Sequence, residues 1–555
     1  MNISKRDLLT IVVLSIVFFS VATWNLGMTQ VPMTTWQTTE NKSFCIGLGR
    51  FESAGSVYFL VKQGSANVTV YIGSPGNWSY NRTFDIKFSY YSWSKLDISS
   101  NTQYVRFDFQ QVSIEIAEIA ILSQDNQRIA INAVTSETTP DPNLPKLVDE
   151  QDLVQCPPTY MSETYFDEIY YVRTAEQYLK LQQPYEWTHP PLGKLIIATG
   201  VLVFGYNPFG WRIMGVIFAT LMITLMYILG KELFGTWIGA FASAFLLAFD
   251  FMIFTMGRMA TVDTYVVFFS LASQLFFLIY LKNVLRNGWK TSVLPLFLAV
   301  LFFAFGFSTK WLVLYGFAGQ LAILLALRLN EVIKLKEGLS ARINALLNRP
   351  FYLLLYFLVL AGFVYFLTFI PDVLAGRTLT DVFQLQGSMF AYHSTLNATH
   401  PFASQWWTWP LILKPLWLFV SYLPNGIVST IVAMGNPAVW WVGFAFIILA
   451  VEGAVRRRDF ACIFITTLFF FQWLPYVLIS RVTFIYHFCV NVPILCLATA
   501  YFLNTYWSKK WGKVAALTYF SGVVVLFALF YPAISGMPTS TSWIDSLKWL
   551  GSWVF

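Results

Sequence analysis

Residues 208–230 read PFGWRIMGVIFATLMITLMYILG, an apolar run in which Arg212 is the only charged residue. A helix needs about 20 mainly apolar residues to cross the hydrocarbon core of a bilayer, so this run predicts a transmembrane helix. The rest of the chain has the same character, because 56% of its 555 residues are hydrophobic and 12% are charged. Ordinary soluble proteins carry about 25% charged residues. The composition therefore excludes a soluble multidomain enzyme, a disordered chain and a nucleic-acid-binding arm.

Further apolar runs of similar length predict about eleven transmembrane helices in all. They cover residues 8–29, 237–255, 262–281, 292–308, 311–327, 351–371, 437–453, 460–479, 485–503 and 514–533. The first run is long for a signal peptide and has no obvious small-residue cleavage site, so it is predicted to be a membrane anchor. The apolar segment 411–434 contains two prolines, an asparagine and a glycine, which predicts an interfacial or re-entrant segment.

Lysines and arginines cluster in alternate short loops, which predicts the orientation of the chain in the membrane. The clusters lie at residues 5–6, 282–290, 328–349, 456–458 and 509–513. If the clusters are cytoplasmic, the long segments 30–207 and 372–436 face the outside. The net charge of +7 is then explained by membrane orientation and calls for no nucleic-acid partner.

The outer segment before residue 140 shows a two-residue alternation of apolar and polar side chains, which is typical of β-strands. Several short strands at regular spacing predict an antiparallel β-sandwich. Predicted strands cover residues 56–62, 67–72, 83–90, 104–109 and 113–122, with turns at 74–76 and 99–101. Cys45 and Cys156 are the only cysteines outside the predicted spans, and they predict a disulfide bond in an oxidising compartment.

Residues 104–107 and 114–119 resemble the end of a discoidin-type, galactose-binding-like module. Such modules often bind glycans through exposed aromatic side chains, but a packing or spacer domain fits the same pattern. The aromatic candidates for glycan binding are Trp78, Tyr80, Tyr91 and Trp93.

Polar residues concentrate at the outer ends of the predicted spans. Asp167 and Glu168 are adjacent and precede the second span, and all four histidines of the chain fall on the outer face. Arg212, Lys310 and Arg481 each lie at the outer end of a span. Ionisable residues are costly in a membrane unless they are paired or hydrated, so they mark candidate functional sites. Cations that converge opposite a carboxylate pair suit an anionic lipid headgroup.

From about residue 160 to 535 the sequence resembles the protein O-mannosyltransferases, whose donor is a dolichyl or polyprenyl phosphate mannose. The matching motifs are Asp167-Glu168, HPPLGK at 189–194, QGSM at 386–389, YHS at 392–394, HPFAS at 400–404, WTWP at 407–410, and Arg481, Phe484, Tyr486 and His487. The second outer segment has no room for the MIR repeats of eukaryotic members, which favours a prokaryotic-like protein in a cell membrane over the endoplasmic reticulum. The outer β-domain is not a usual part of the family.

The resemblance implies an α-helical multi-pass membrane protein with a GT-C glycosyltransferase fold and an extracytoplasmic β-sandwich. The implied division is an anchor helix at 1–30, a sandwich at 31–145, a catalytic loop at 146–207, helices two to seven at 208–371, an outer loop at 372–436, and helices eight to eleven with the tail at 437–555. The implied activity is inverting transfer of mannose from the lipid phosphate to serine or threonine hydroxyls of secreted or membrane proteins.

The resemblance also implies roles for individual residues. Asp167 is expected to be the general base, and Glu168 to orient the acceptor or the sugar. Expected phosphate ligands are Arg212, Arg481, Lys310 and His487; expected sugar or acceptor contacts are His189, Gln386, His393 and Trp409. The chain contains no D-x-D triplet, and its histidines and acids show no metal-ligand spacing, so we expect no required metal or other cofactor.

Other functions fit the same sequence features. A GT-C enzyme could transfer another sugar or use a glycolipid acceptor, because fold does not determine the acceptor. A glycan-binding membrane receptor or a transporter would need neither Asp167 nor the outer cations. The sequence leaves open the polyprenol length, the acceptor and whether the protein is a dimer.

Overall fold

The computed structural model describes residues 3–336 and 338–555. The N-terminal half contains α1 (Lys5–Thr23), β1 (Trp36–Thr38), β2 (Lys42–Ser74), β3 (Asn77–Lys87), β4 (Trp93–Ser123), β5 (Ala133–Ser136), α2 (Glu168–Leu179), α3 (Leu192–Phe204), α4 (Pro208–Phe234), α5 (Trp237–Ala248), α6 (Phe251–Gly257) and α7 (Asp263–Asn287). The C-terminal half contains α8 (Leu294–Phe307), α9 (Val313–Ile333), α10 (Leu339–Leu347), α11 (Phe351–Leu367), α12 (Ile370–Leu374), α13 (Leu379–Thr395), β6 (Leu416–Leu423), β7 (Ile427–Ala433), α14 (Pro437–Val455), α15 (Phe460–Trp473), α16 (Val492–Tyr506), α17 (Lys510–Ser535), β8 (Thr539–Ser540) and α18 (Thr541–Ser546).

Nine apolar helices in residues 3–336 and 338–555 are long enough to cross a membrane, and the bent pair α5–α6 would make ten. The prediction of about eleven spans is therefore slightly too high. The difference is the run at 292–308, which forms the 14-residue helix α8. At 1.5 Å per residue such a helix rises about 21 Å, less than the hydrocarbon core of about 30 Å.

Helix boundaries follow local capping chemistry. The side chain of Asn207 accepts a hydrogen bond from the backbone N–H of Gly210 at 2.7 Å, and Pro208 occupies the first position of α4. Gly235 ends the same helix with a φ of +72°, a left-handed conformation that glycine adopts without steric cost. Asp250 caps α6 directly after α5 ends, and the two helices meet at an angle of 57°.

The outer β-domain is a sandwich made from two long, bent strands. Residues 56–60 of β2 pair with β4 on both sides, and residues 104–109 of β4 pair with β2 on both sides. Phe59 of the first layer packs against Phe107 of the second with ring centroids 5.6 Å apart. The predicted strands are therefore segments of β2, β3 and β4. The turn at 74–76 is present between β2 and β3, but residues 99–101 lie within β4.

The predicted disulfide bond is absent, because Cys45 and Cys156 are both free thiols. The two cysteines lie in different parts of the outer segment. Cys45 lies in β2, opposite Arg106 of β4 and Thr135 of β5, whereas Cys156 packs beside Val154. The segment 411–434, which the sequence predicts to be interfacial or re-entrant, is mainly an antiparallel hairpin of β6 and β7, and β8 pairs with β7 as a third strand.

The end of the helical bundle opposite the sandwich carries basic residues near its surface. Lys231, at the end of α4, contacts the carboxylate of Asp7 at 3.0 Å, and Lys282 contacts Glu232 at 2.9 Å. The guanidinium of Arg6 lies 3.6 Å from the ring centre of Trp237. These basic side chains therefore lie at the end of the bundle where α1 starts, whereas the sandwich follows the other end of α1.

Candidate active site

A cavity of about 530 Å³ lies at the sandwich end of the bundle. Helices α3 and α9 begin beside it, as does the helical segment Ile485–Tyr506, which contains α16. Its polar wall includes Thr188, His189, Lys310, His393, Arg481 and His487. Its apolar wall includes Phe307, Trp311, Leu314, Phe390, Leu478 and Ile479. Leu314 and Leu478 are 47% and 83% exposed, so the apolar wall continues onto the outer surface of the helices. Such a cavity suits an amphipathic ligand with an anionic end.

Two cationic side chains line the cavity, and they differ in whether a carboxylate offsets their charge. The ammonium group of Lys310 donates to Asp263 at 2.9 Å, which offsets its charge. The guanidinium of Arg481 donates to Nδ1 of His393 and, within the residues that the structure describes, has no carboxylate partner. Arg481 therefore has N–H groups and a net charge available for an anionic ligand.

His393, whose ring lies edge to face with that of His189, has a defined role in hydrogen bonding. Nε2 of His393 lies 2.7 Å from the carbonyl oxygen of Thr188 and must donate to it, which leaves Nδ1 to accept from Arg481. Burial, with the neighbouring His189 and Arg481, lowers the pKa of His393 to about 4. His393 is thus neutral near pH 7, and the charge of the pair stays on Arg481.

His189 is oriented by a buried ion pair. Its Nδ1 lies 3.1 Å from a carboxylate oxygen of Glu186, whose other oxygen accepts from the buried ammonium group of Lys194 at 2.7 Å. Although burial opposes ionisation, Lys194 and His189 together hold the pKa of Glu186 well below its usual range. Because the ionised carboxylate only accepts, Nδ1 of His189 donates and Nε2 is left for a ligand.

Asp167 directly precedes α2 and has an unusual environment. Phe166 before it has a φ of +49°, a conformation that bulky side chains rarely adopt outside constrained sites. In residues 3–336 and 338–555, no group pairs with the Asp167 carboxylate by hydrogen bond or ion pair. Burial, and secondarily the charge of Asp263, raises the pKa of Asp167 to about 7, although Lys310 opposes the shift.

Glu168 and Arg212 form a closed ion pair, which corrects the roles expected for both. Both side chains are fully buried, and the guanidinium contacts the carboxylate at 2.8 and 2.7 Å. The three remaining N–H groups of Arg212 donate to the carbonyl oxygens of Leu26, Tyr160 and Glu163. Arg212 therefore has no donor left for a phosphate, and Glu168 has no access to an acceptor or a sugar.

We expect Arg212→Ala to destabilise the protein by about 3–5 kcal/mol, because the Glu168 charge would be left buried and unpaired. The midpoint of thermal unfolding of the purified protein in detergent measures this effect. Glu168→Gln should cost less, since the neutral amide can still accept the backbone N–H of Ala260. If Arg212→Ala instead unfolded normally and raised only the donor KM, Arg212 would be a phosphate ligand after all.

Two other expected sugar or acceptor contacts lie behind the cavity wall. Trp409 is 1% exposed, and its ring stacks on His487 with centroids 6.0 Å apart. Gln386 accepts a hydrogen bond from Tyr365, which in turn accepts one from Trp311 of the cavity. Both residues therefore support side chains that line the cavity rather than line it themselves.

His487, an expected phosphate ligand, lines the cavity. Its Nδ1 lies 3.2 and 3.0 Å from the backbone nitrogen and oxygen of Phe484, which fixes the ring plane. The sequence reasoning missed Glu186 and Asp263, the carboxylates that hold His189 and Lys310. Glu186 lies three residues before His189, and this short spacing could have indicated that the two side chains interact. Asp263 is 47 residues from Lys310, so no sequence pattern indicates that second pair.

One group of acidic residues lies elsewhere. Among the described residues, Glu118, Asp149 and Glu150 bring carboxylate oxygens within 4.8 Å of one another, at the junction of the sandwich and the following loop. Glu150 accepts from the backbone N–H groups of Met33 and Thr34 at 2.7 Å. These hydrogen bonds tie the start of the outer segment to the loop that follows the sandwich.

Comparisons with known proteins agree with the fold. Residues 188–367 match the family model described as dolichyl-phosphate-mannose-protein mannosyltransferase, and residues 378–553 match that of the C-terminal four-transmembrane region of protein O-mannosyltransferase. A polyprenol-phosphate-mannose–protein mannosyltransferase of Mycolicibacterium smegmatis is 24% identical over 467 residues, covering 71% of this chain and 89% of the relative. The Mycobacterium tuberculosis protein of that name is 24% identical over 428 residues, covering 66% and 80%.

A solved structure shows the same fold. The Saccharomyces cerevisiae protein O-mannosyltransferase complex bound to the sugar donor aligns with a TM-score of 0.58 at 14% identity, covering 71% of this chain and 89% of that chain. The architecture is therefore that of a GT-C glycosyltransferase in a membrane, as predicted. Together with the two family matches, it identifies the chain as a member of the protein O-mannosyltransferase family. The sandwich and Asp167 lie before residue 188, where the first family match begins.

Proposed function

We propose that this chain transfers mannose from a polyprenyl-phosphate mannose to serine or threonine hydroxyls of proteins, with inversion at the anomeric carbon. The observation that carries the proposal is that two groups lie at one end of the bundle: the carboxylate of Asp167, which has no hydrogen-bond or ion-pair partner among the described residues, and the guanidinium of Arg481, which has no carboxylate partner there. Lys310 connects the two, because it lines the cavity and acts electrostatically on Asp167. The family membership and the bacterial relatives support this choice of donor.

The chemistry requires a base, a held leaving group and a dry site. Asp167 takes the proton of the acceptor hydroxyl while the hydroxyl oxygen attacks the anomeric carbon of the mannose. The bond from that carbon to the phosphate oxygen breaks, and the polyprenyl phosphate leaves with the electron pair. The phosphate gains about one negative charge in this step, so contacts with Arg481 and Lys310 strengthen in the transition state.

The cavity accounts for both ends of a lipid-linked sugar. The phosphate lies against Arg481, Lys310 and the imidazole of His487 in this proposal. The isoprenoid chain leaves along the apolar wall past Leu314 and Leu478, which are exposed where lipid would surround the bundle. His189, oriented by Glu186, offers Nε2 to a sugar hydroxyl. We propose that no metal is required, because two protein cations already face a single phosphate.

We further propose that the site faces away from the cytoplasm. The basic residues at the opposite end of the bundle, including Lys231 and Lys282, support this orientation under the positive-inside rule. A cysteine placed at the exposed Tyr80 of the sandwich should react with a membrane-impermeant reagent in intact cells. Reaction only after permeabilisation would reverse the orientation.

Purified protein in lipid nanodiscs tests the activity directly. With radiolabelled polyprenyl-phosphate mannose, an acceptor peptide containing serine and threonine, and a metal chelator, we expect label in the peptide. Label that stays in the lipid extract would indicate a glycolipid acceptor. Transfer from a polyprenyl-phosphate arabinose but not from the mannose donor would indicate another sugar, and an absence of transfer from both would remove the enzymatic function.

The pH dependence should report the ionisation of Asp167. Only the ionised carboxylate accepts a proton, so kcat/KM should rise with pH through an apparent pKa of about 7 and level off above it. An Asp167 with the ordinary pKa of 3.8 would give a flat profile above about pH 5 instead. Initial rates between about pH 5 and pH 8.5 distinguish the two profiles.

A further inference from the structure

The β-sandwich precedes both family matches, yet it contacts the helix that Asp167 starts. The hydroxyl group of Tyr90, in the connection between β3 and β4, donates to a carboxylate oxygen of Glu176 on α2 at 2.6 Å. The hydroxyl of Tyr206, from the bundle, donates to the same oxygen at 3.1 Å. Glu176 therefore joins the sandwich, α2 and the bundle at one point.

The sandwich also holds the loop that leads into Asp167. The backbone N–H of Trp93 donates to the side chain of Glu163 at 2.8 Å. Thr164 donates its backbone N–H to the carbonyl of Tyr91 at 3.0 Å and its hydroxyl to the carbonyl of Tyr90 at 2.6 Å. These contacts fix the chain three and four residues before Asp167.

Apolar packing reinforces the polar contacts. Tyr91 is 2% exposed and packs against Tyr206 and Trp211, with ring centroids 5.5 and 5.3 Å apart. It shares a buried cluster with Val172 of α2. Tyr91 therefore anchors the sandwich in the transferase, rather than serving as the exposed glycan-binding side chain that the sequence suggested.

We propose that the sandwich is a positioning element of the transfer site, which holds α2 and the preceding loop so that Asp167 stays beside Lys310. The proposal rests on the proposed function, because it assumes that Asp167 is the base. Asp167 has no hydrogen-bond partner of its own among the described residues, so the elements around it set its position. An isolated helix of 12 residues is marginal in water, so α2 depends on its neighbours.

The Glu163→Ala/Glu176→Ala double variant tests the proposal in full-length protein. We expect kcat to fall by about tenfold or more, because a displacement of about 1 Å at a reacting group can cost about 100-fold in rate. The donor KM should stay within about twofold, since Arg481 and Lys310 lie on other elements. Activity is expressed per mole of folded protein, and the amount of folded protein is measured by crosslinking of the donor.

The pH profile separates positioning from simple stabilisation. If α2 is held less closely, water reaches Asp167, and its apparent pKa should fall by about one unit, because burial is the main cause of its raised pKa. The charged groups that act on Asp167, namely Asp263, Glu186 and Lys310, remain in place. A variant that is only less stable would lose active protein with an unchanged profile.

Matched variants complete the test. Glu163→Gln/Glu176→Gln keeps the accepting oxygens and should restore most of the activity. Lys180→Ala removes the exposed partner of Glu176 and leaves the sandwich contacts intact, so its kcat should equal that of the wild type. If the kcat of the double alanine variant matches that of Lys180→Ala, the positioning role is wrong. It is also wrong if the apparent pKa of the pH profile is the same in the double variant and the wild type. Full turnover by an Asp167→Asn variant would instead remove the function on which the proposal rests.

Discussion

Replacing Asp167 by asparagine is expected to lower kcat for mannosyl transfer by about 10²- to 10⁴-fold, the usual contribution of a general base. The amide has the same shape as the carboxylate but cannot take the hydroxyl proton. The Asp167 side chain makes no hydrogen bond or ion pair with the described residues, so its replacement should leave the fold unchanged. Removal of a buried negative charge should also keep the donor affinity, since Lys310 retains Asp263 as its partner.

Two measurements make this result specific. Donor binding, followed by crosslinking of a photoreactive polyprenyl phosphate, should be equal in Asp167→Asn and wild type. The matched control is Asp152→Asn, which removes an aspartate that is 98% exposed in the same outer segment. Turnover of Asp167→Asn at more than about a tenth of the wild-type rate would exclude Asp167 as the base.

The sequence could reveal the membrane fold because its signal is local. An apolar run such as 208–230 determines a span by its own length, and the alternation at 56–62 determines a strand by its own period. Prediction of the element boundaries fails where an apolar run is short, as in α8. It also fails where one strand continues through several predicted strands, as in β2. In both cases neighbouring segments decide where the element ends.

The site could be predicted only by region, because the roles of like residues depend on distant partners. Arg212 and Arg481 are the same residue type at the outer ends of predicted spans, and the family resemblance implied the same role for both. Arg212 forms an ion pair with Glu168, which lies 44 residues earlier in the chain. Arg481 instead donates a hydrogen bond to a neutral histidine. Likewise Trp409 lies within a family motif but is buried behind His487. Motifs located the site, and tertiary contacts separated binding residues from supporting ones.

Arg481→Ala is expected to lower kcat/KM by about 10²- to 10³-fold, the loss seen when a donor to a developing oxyanion is removed. The guanidinium can donate to two phosphate oxygens, and its charge meets a phosphate that becomes more negative as the sugar leaves. Loss of Arg481 leaves no buried charge unpaired, because its partner His393 is neutral, so the fold should persist. The midpoint of thermal unfolding in detergent should therefore stay close to that of the wild type.

Two further variants show whether the loss comes from phosphate binding. Arg481→Lys keeps the charge but loses the planar pair of donors, so its kcat/KM should lie between those of the wild type and the alanine variant. Arg50→Ala removes an arginine whose side chain is 82% exposed and pairs with Glu52 in the sandwich, and it should leave kcat/KM nearly unchanged. If Arg481→Ala behaves like Arg50→Ala, Lys310 must hold the phosphate without Arg481. The cavity would then bind the donor in another orientation, with the phosphate near Asp263 and the sugar towards Arg481.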